Sequence, residues 1–230
     1  MRHLVKILML ILLYLSSIPS YASLEGKLDY HAPIDYTKIS REELEAKAGV
    51  YYQLVLKTFQ PATPNFSSQE RGKSFVNEEM TAALNMYKIL QSQNPADVTY
   101  NIRLGHLYDI AGLDRYAKGA FNAAIGCDNS QPEPYFRLGE FYYRRQMYKK
   151  ALKLYIEAYK RGYDTNYNTL YKLGDIYAKL GDTEAALKYL NLAAEQSAND
   201  ELNAKIQRLN IENQRNQEYY SNTRIRTIER

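Results

Sequence analysis

The stretch Leu104-Gly105-His106-Leu107-Tyr108 recurs twice, as Leu138-Gly139-Glu140-Phe141-Tyr142 and as Leu173-Gly174-Asp175-Ile176-Tyr177. The three glycines are 34 and 35 residues apart, and the agreement continues downstream of each glycine. An alanine follows after twelve residues, a large apolar residue after sixteen and a second alanine after nineteen: Ala117, Ala151 and Ala186; Phe121, Tyr155 and Leu190; Ala124, Ala158 and Ala193. A period of this size predicts a solenoid, in which each unit buries its apolar face only by stacking on its neighbours.

Each repeated unit is predicted to be a pair of helices. The units span 98–131, 132–166 and 167–200. Asp97 is a helix-capping residue type, and Pro132 stands where a helix start tolerates its missing N–H. The second pair is predicted to run over 132–145 and 148–161 and to end at Gly162. The third pair is predicted at 167–179 and 183–196.

The flanking segments extend the array at both ends. Ser40 and Glu43 form a capping box, which predicts a helix that ends at about Phe59. Residues 40–97 are therefore interpreted as N-terminal helices with a degenerate repeat, interrupted by an insertion at 60–76. Beyond the repeats, 201–220 is predicted to be an amphipathic helix that covers the open end of the solenoid, and 221–230 a polar, basic tail.

Residues 1–22 are typical of a secretory signal peptide. Arg2 and Lys6 precede the apolar run 7–15, and small residues predict cleavage after Ala22. The alternative is an uncleaved anchor, for which this run is short compared with the roughly 20 residues of a span. Residues 23–39 are predicted to be a flexible leader. We therefore expect an exported protein with no membrane span after cleavage, periplasmic in a bacterial host and otherwise secreted.

Composition argues against nucleic acid as a partner. The formal charge of +4 falls to +2 once Arg2 and Lys6 are removed, whereas nucleic-acid binding needs a concentrated cationic face.

The chain contains 23 tyrosines and no tryptophan. Its single cysteine, Cys127, excludes a disulfide within one chain. We expect it to lie in the core as a small apolar residue, the alternative being a reactive or intermolecular thiol.

The repeated residues resemble the tetratricopeptide repeat family. The match consists of Leu-Gly and then Tyr on the first helix of each unit, followed by Ala, an aromatic residue and Ala on the second. The sequence departs from the family at the first-helix aromatic position, which holds Asn101, Tyr135 and Leu170, and at the terminal proline, present only as Pro95. The resemblance implies an all-α, right-handed α-solenoid of helix-turn-helix repeats with a C-terminal capping helix.

The resemblance also separates the core from the binding surface. The repeated glycines, alanines and aromatics let neighbouring helices approach, so we expect them to build the core. The first helices are expected to line a concave groove that binds a partner. The groove positions fall on Ile102, His106, Asp109, Phe136, Glu140, Tyr143, Arg144, Tyr171, Asp175 and Lys179.

Two rows follow the groove from unit to unit. Ile102, Phe136 and Tyr171 form an apolar row, whereas His106, Glu140 and Asp175 form a mostly acidic one. We therefore expect a protein or peptide partner with apolar and basic residues. Two alternatives stay open: the row is merely solvated, or the chain's own leader fills the groove.

The sequence gives little support to catalysis. After signal removal only His31 and His106 remain, and their spacing is not that of metal ligands. The sequence also contains no nucleophile motif and no phosphate-binding glycine loop. We expect no enzyme activity, no cofactor and no metal. The favoured function is a non-enzymatic scaffold or adaptor of the cell envelope. The alternatives are a secretion or assembly scaffold that acts through its convex face or C-terminal tail, and a carbohydrate-binding envelope protein.

Overall fold

A computed structural model describes the backbone of residues 38–59 and 78–228 and the side chains through Tyr219. This part of the chain contains nine α-helices and no strand. The helices are α1 (Arg41–Thr58), α2 (Glu78–Gln93), α3 (Val98–Ile110), α4 (Asp114–Cys127), α5 (Pro132–Arg144), α6 (Tyr148–Ala158), α7 (Tyr167–Lys179), α8 (Thr183–Gln196) and α9 (Asp200–Ile228). The signal peptide 1–22, most of the leader and most of the insertion lie outside the described residues.

The helices stack as consecutive antiparallel pairs. α3 packs on α4, α5 on α6 and α7 on α8, and each pair contacts the next one along the chain. α1 and α2 form a further pair in front of them. The first helices also contact one another, α1 with α3 and α3 with α5, so they line one side of the array. The predicted α-solenoid is confirmed.

The repeated small and aromatic residues form the core, as predicted. The alanines at both repeated positions of all three units are fully buried, and the large residue between them is at most 1% exposed. Each first-helix glycine lies directly against that large residue. A Cβ at Gly105 would lie 2.6 Å from the Phe121 ring, and one at Gly174 would lie 2.6 Å from Leu190. The glycines therefore allow close approach within each pair.

Local sequence accounts for most helix ends. The side chain of Ser40 accepts a hydrogen bond from the N–H of Glu43 at 3.2 Å, and that of Asp97 accepts one from the N–H of Tyr100 at 3.1 Å. The second pair differs from the prediction: its second helix ends at Ala158 and continues as a π-helical turn, Tyr159–Tyr163. Gly162 there has φ +114°, a conformation that side-chain-bearing residues rarely adopt.

The α9 helix covers the last pair. Its Leu202 and Leu209 are buried and Ile206 is half-buried against α7 and α8, whereas Ile211 is half-exposed. The backbone stays helical to Ile228, beyond the predicted range of 201–220. The apolar stripe therefore ends long before the helix does. Across the described segments, no helix is both long enough and apolar enough to cross a membrane.

The turn inside each pair needs a left-handed residue, and the second pair lacks a glycine there. Gly112 and Gly181 have φ +72° and +83°, whereas the equivalent Gln146 has φ +57°. A left-handed conformation costs a residue with a Cβ about 1–2 kcal/mol. Part of the gain from a glycine is offset because glycine is more flexible in the unfolded chain.

Replacing Gln146 with glycine is therefore expected to raise the free energy of unfolding by up to about 1 kcal/mol. Chemical denaturation measures this change. Replacing the exposed Lys153 with glycine, in the interior of helix α6, serves as the comparison and should lower stability by a similar amount. A destabilised Gln146→Gly variant would contradict the explanation.

Candidate partner-binding groove

The ten predicted groove residues all lie on first helices, and most of them contact one another. The guanidinium of Arg144 pairs with Asp109 of the preceding first helix and lies 3.5 Å from Glu140. The hydroxyl of Tyr143 donates to Asp175 of the following first helix at 2.5 Å. The structure thus connects α3, α5 and α7 through one polar network along the side that they line.

Glu140 lies at the centre of this network. Its carboxylate accepts a hydrogen bond from the Tyr155 hydroxyl of the second helix in the same pair. It also lies 3.5 Å from Arg144 and 3.6 Å from Lys172 on the next first helix. Glu140 is therefore already compensated by two cations of this chain.

Asp175 is buried, with 6% of its surface exposed. It accepts hydrogen bonds from Tyr143 and from Lys205 of α9, and Lys179 lies 3.5 Å away. Burial opposes its ionisation, but the Lys205 and Tyr143 hydrogen bonds outweigh burial and hold the pKa of Asp175 below its ordinary value. Asp175 therefore ties the covering helix α9 to the last pair.

Asp109 is also shielded from solvent. Its side chain is only 4% exposed and lies 2.8 Å from Arg145 in addition to its pair with Arg144. Arg145 in turn donates to Asp114 at 2.9 Å and lies 3.6 Å above the Phe141 ring. This cluster joins the turn of the first pair to the end of α5.

His106 faces α1. Its Nδ1 lies 2.8 Å from the hydroxyl of Tyr52, and the two rings meet edge to face. Burial, with additional repulsion from Arg144 and Arg137, lowers the pKa of His106 from 6.5 to about 4. The imidazole is therefore neutral near pH 7 and accepts or donates one hydrogen bond as a structural link between α1 and α3.

A row of cations, which the sequence prediction missed, follows the same side. Arg103, Arg137 and Lys172 each stand two residues before the repeated glycine, and Lys205 follows 33 residues later on α9. Each lies near an aromatic ring: Arg103 is 5.3 Å from Tyr52, Arg137 is 5.7 Å from Phe136, Lys172 is 3.9 Å from Tyr143 and Lys205 is 4.8 Å from Tyr171. We call these four residues the cation row. The recurrence of a basic residue two positions before each repeated glycine is the sequence signal that could have identified the cation row.

The charges of the groove are arranged in two layers. The side chains of Asp109 and Asp175 are less than a tenth exposed, whereas those of Arg137 and Arg144 are more than a third exposed. The carboxylates of Asp109 and Asp175 are therefore less accessible than these two guanidinium groups. The acidic row expected from the sequence is therefore not open to a partner's basic residues without breaking internal ion pairs.

Aromatic residues complete the surface. Phe136 meets the rings of Tyr155 and Tyr163 edge to face at 5.5 and 5.9 Å, and Tyr171 stacks on Tyr167 at 6.0 Å. Ile102 lies on α3 and is half-buried. These rings offer apolar area between the cations, an arrangement suited to a polypeptide that carries both apolar and charged side chains.

The predicted departures from the repeat pattern also have structural partners. Asn101 is 1% exposed, and its amide donates to the carbonyl oxygens of Asp97 at 2.8 Å and Pro95 at 3.2 Å. The thiol of Cys127 is half-buried beside it and donates to the same Pro95 oxygen at 3.4 Å. Within the described residues, no three His, Cys, Asp or Glu side chains are grouped so as to hold a metal ion.

Comparison with known proteins agrees with this architecture. A family model described as tetratricopeptide repeat matches residues 131–199, which cover the second unit and all but the last residue of the third. No curated protein sequence matches the chain. Among solved structures, the MamA RS-1 ArsTM double mutant is 15% identical, with a TM-score of 0.54 over 73% of this chain and 85% of that one.

A second solved structure is PilF of Pseudomonas aeruginosa. It is 16% identical to this chain, with a TM-score of 0.53, and the match covers 75% of this chain and 71% of that one. At these identities the likeness concerns the fold alone.

Proposed function

We propose that this tetratricopeptide-repeat protein is a non-enzymatic scaffold of the cell envelope that holds a segment of a partner protein against its first helices. The family and its fold imply protein–protein interaction. The observation that supports this particular surface is the cation row, in which every cation lies near an aromatic ring and three of these rings belong to the groove.

The layered charges favour an acidic and apolar partner segment. A partner reaches the more exposed guanidinium groups of Arg137 and Arg144 first, because the carboxylates of Asp109 and Asp175 are covered and paired. Opening a buried carboxylate to a partner's lysine would strand an internal cation, which is costly. We therefore propose acidic residues alongside apolar ones in the partner, in place of the basic residues that the sequence alone suggested.

The sign of the partner's charge can be tested with two fluorescent peptides of twelve residues. One alternates leucine and tyrosine with aspartate, and the other alternates them with lysine. We expect the full-length protein to bind the aspartate peptide more tightly. The double variant Arg137→Gln/Lys172→Gln should weaken this binding at least tenfold, about 1.4 kcal/mol, because it removes two groove cations that are partly open to solvent.

The matched control is Lys149→Gln/Lys153→Gln, which removes the same charge from the exposed side of α6. We expect this control to bind the aspartate peptide almost as the wild type does. An equal loss in both double variants would show that only net charge attracts the peptide. Preference for the lysine peptide would restore the basic partner, and absence of binding by either peptide would contradict a groove of this chemistry.

The envelope location rests on residues 1–22, which lie outside the described residues. A positive start, a short apolar run and small residues before Ser23 support export. N-terminal sequencing of the protein purified from its own host is expected to begin at Ser23. A mature chain that still begins at Met1 or Arg2 would overturn the proposal of a cleaved signal peptide.

A further inference from the structure

Three side chains occupy equivalent positions in each repeat, on the side of the second helices. One comes from the preceding second helix or the π-helical turn that continues it, one is the repeated first-helix tyrosine and one comes from the second helix of the same unit. These trios are Gln91, Tyr108 and Ala120 in the first unit, Ile125, Tyr142 and Leu154 in the second, and Tyr159, Tyr177 and Tyr189 in the third.

The place is filled in the second and third units. Leu154 packs in one apolar cluster with Ile125 and Tyr142. Tyr189 stacks on Tyr177 with ring centroids 5.5 Å apart and planes nearly parallel, and it meets Tyr159 edge to face at 5.8 Å. A large side chain at the third position of the trio thus closes the gap between consecutive pairs.

The first unit leaves this place open. Ala120 is too small to reach across, and a pocket of about 440 Å³ lies above it, with Gln91, Tyr108 and Gly119 among its lining. The Gln91 amide is held away by a hydrogen bond to buried Asn101 at 2.5 Å. A Cβ at Gly119 would meet no atom within 4 Å, so none of the described side chains closes the pocket on that side.

Charge and exposure at the rim indicate what fits. Tyr116 is 62% exposed and lies 5.4 Å from the Tyr108 ring, which gives the pocket an aromatic wall. Arg115, which also lines the pocket, is exposed, and none of the described acidic side chains pairs with it. The next cation along α4, Lys118, is exposed as well. The rim is therefore complementary to negative charge.

We propose that this pocket docks a leucine or aromatic side chain from an acidic segment of a partner protein. Leu154 and Tyr189 show which side chains the same place accepts in the other two repeats. The pocket is lined by residues of α2 and α4 together with Leu104 and Tyr108 of α3, and none of its lining residues belongs to the groove described above. The protein consequently has a second contact surface, which holds whether or not the groove proposal does.

The test uses the groove variant Arg137→Gln/Lys172→Gln as background, so that binding to the groove is weakened and contributes less. The probe is a fluorescent ten-residue peptide of aspartates and glutamates around one central leucine, and its comparison peptide carries serine at the centre. We expect the leucine peptide to bind at least tenfold more tightly than the serine peptide. Adding Ala120→Leu, which fills the pocket from within, should remove this preference.

Two measurements keep a folding defect from being mistaken for lost binding. The melting temperature of Ala120→Leu is expected to equal or exceed that of its background, because leucine closes the gap as Leu154 does in the second unit. Arg115→Gln, an exposed change, should weaken both peptides while retaining the preference for leucine. Equal binding of the leucine and serine peptides, or a preference that survives Ala120→Leu, would overturn the proposal.

Other occupants would also be revealed. Self-association that Ala120→Leu abolishes in sedimentation equilibrium would assign the pocket to a second copy of this chain. Binding of vesicles that contain anionic lipid, lost in the same variant, would assign it to a membrane surface. Failure of the leucine peptide to bind the unfilled pocket would show that the pocket does not accept such a segment. Each of these outcomes contradicts a partner-protein segment.

Discussion

Replacing Gly174 with alanine is expected to lower the free energy of unfolding by about 2 kcal/mol. The new Cβ would lie 2.6 Å from Cγ and 2.8 Å from Cδ2 of Leu190, and 3.0 Å from the backbone oxygen of Ala186. Overpacking a buried site costs about 1–3 kcal/mol and occasionally more. The better helix propensity of alanine returns only about 1 kcal/mol. Because the Ala186 oxygen belongs to the α8 backbone, the two helices must separate to relieve the contact.

Two other glycines provide graded controls for chemical denaturation. A Cβ at Gly139 would lie 3.3 Å from the Tyr155 ring, a contact that a shift of a few tenths of an ångström relieves. Gly139→Ala should therefore change stability by less than about 1 kcal/mol, because strain and propensity offset each other. Gly119→Ala meets no neighbour and should stabilise by up to about 1 kcal/mol. Equal effects at Gly174 and Gly119 would contradict the close-approach explanation.

The fold could be predicted from the sequence because the repeat imposes the same steric demand at every unit. Gly105 packs directly against Phe121, and Gly174 packs directly against Leu190. Because these contacts recur in each unit, the repeated residues in the sequence are the core residues. The π-helical turn after Ala158 was not predicted, since helix-compatible residues continue through Arg161 and only Gly162 marks the change. The end of α9 was also missed, because its backbone continues without an apolar stripe.

The candidate groove was predicted only in part. Helical spacing placed the ten residues on one side, but it did not show which charges compensate one another across units. Asp175 is covered by Lys205, which stands 30 residues away on a helix with no repeat motif. The sequence shows a small residue, Ala120, at the repeat position that holds Leu154 and Tyr189 in the other two units. Recognising a pocket from this difference requires knowing that the position lies between consecutive helix pairs.

Acidification from pH 7 to 4.5 is expected to remove about 2.5 kcal/mol of stability through His106 alone. Burial lowers its pKa to about 4 in the folded chain, against an ordinary value of 6.5 when unfolded. Between these values the unfolded chain binds one more proton than the folded chain, so stability falls as the pH falls. Each pH unit between the two pKa values removes about 1.4 kcal/mol. Most of the interval from pH 7 to 4.5 lies between these values. Chemical denaturation at both pH values measures the loss.

His106→Gln should abolish most of this pH dependence, since glutamine can still hydrogen-bond to the hydroxyl of Tyr52 but does not titrate in this range. Arg137 and Arg144 oppose protonation of His106, whereas Asp109 and Glu140 favour it. Burial also opposes protonation and is the largest of these effects. The carboxylates with lowered pKa, such as Asp175, lose their contribution mainly as the pH falls below about 4, so they account for little of a loss above pH 4.5. The matched control is His31→Gln, which changes a histidine outside the described residues and should leave the pH dependence intact. If His106→Gln loses as much stability as the wild type between pH 7 and 4.5, the link between α1 and α3 does not depend on a neutral imidazole.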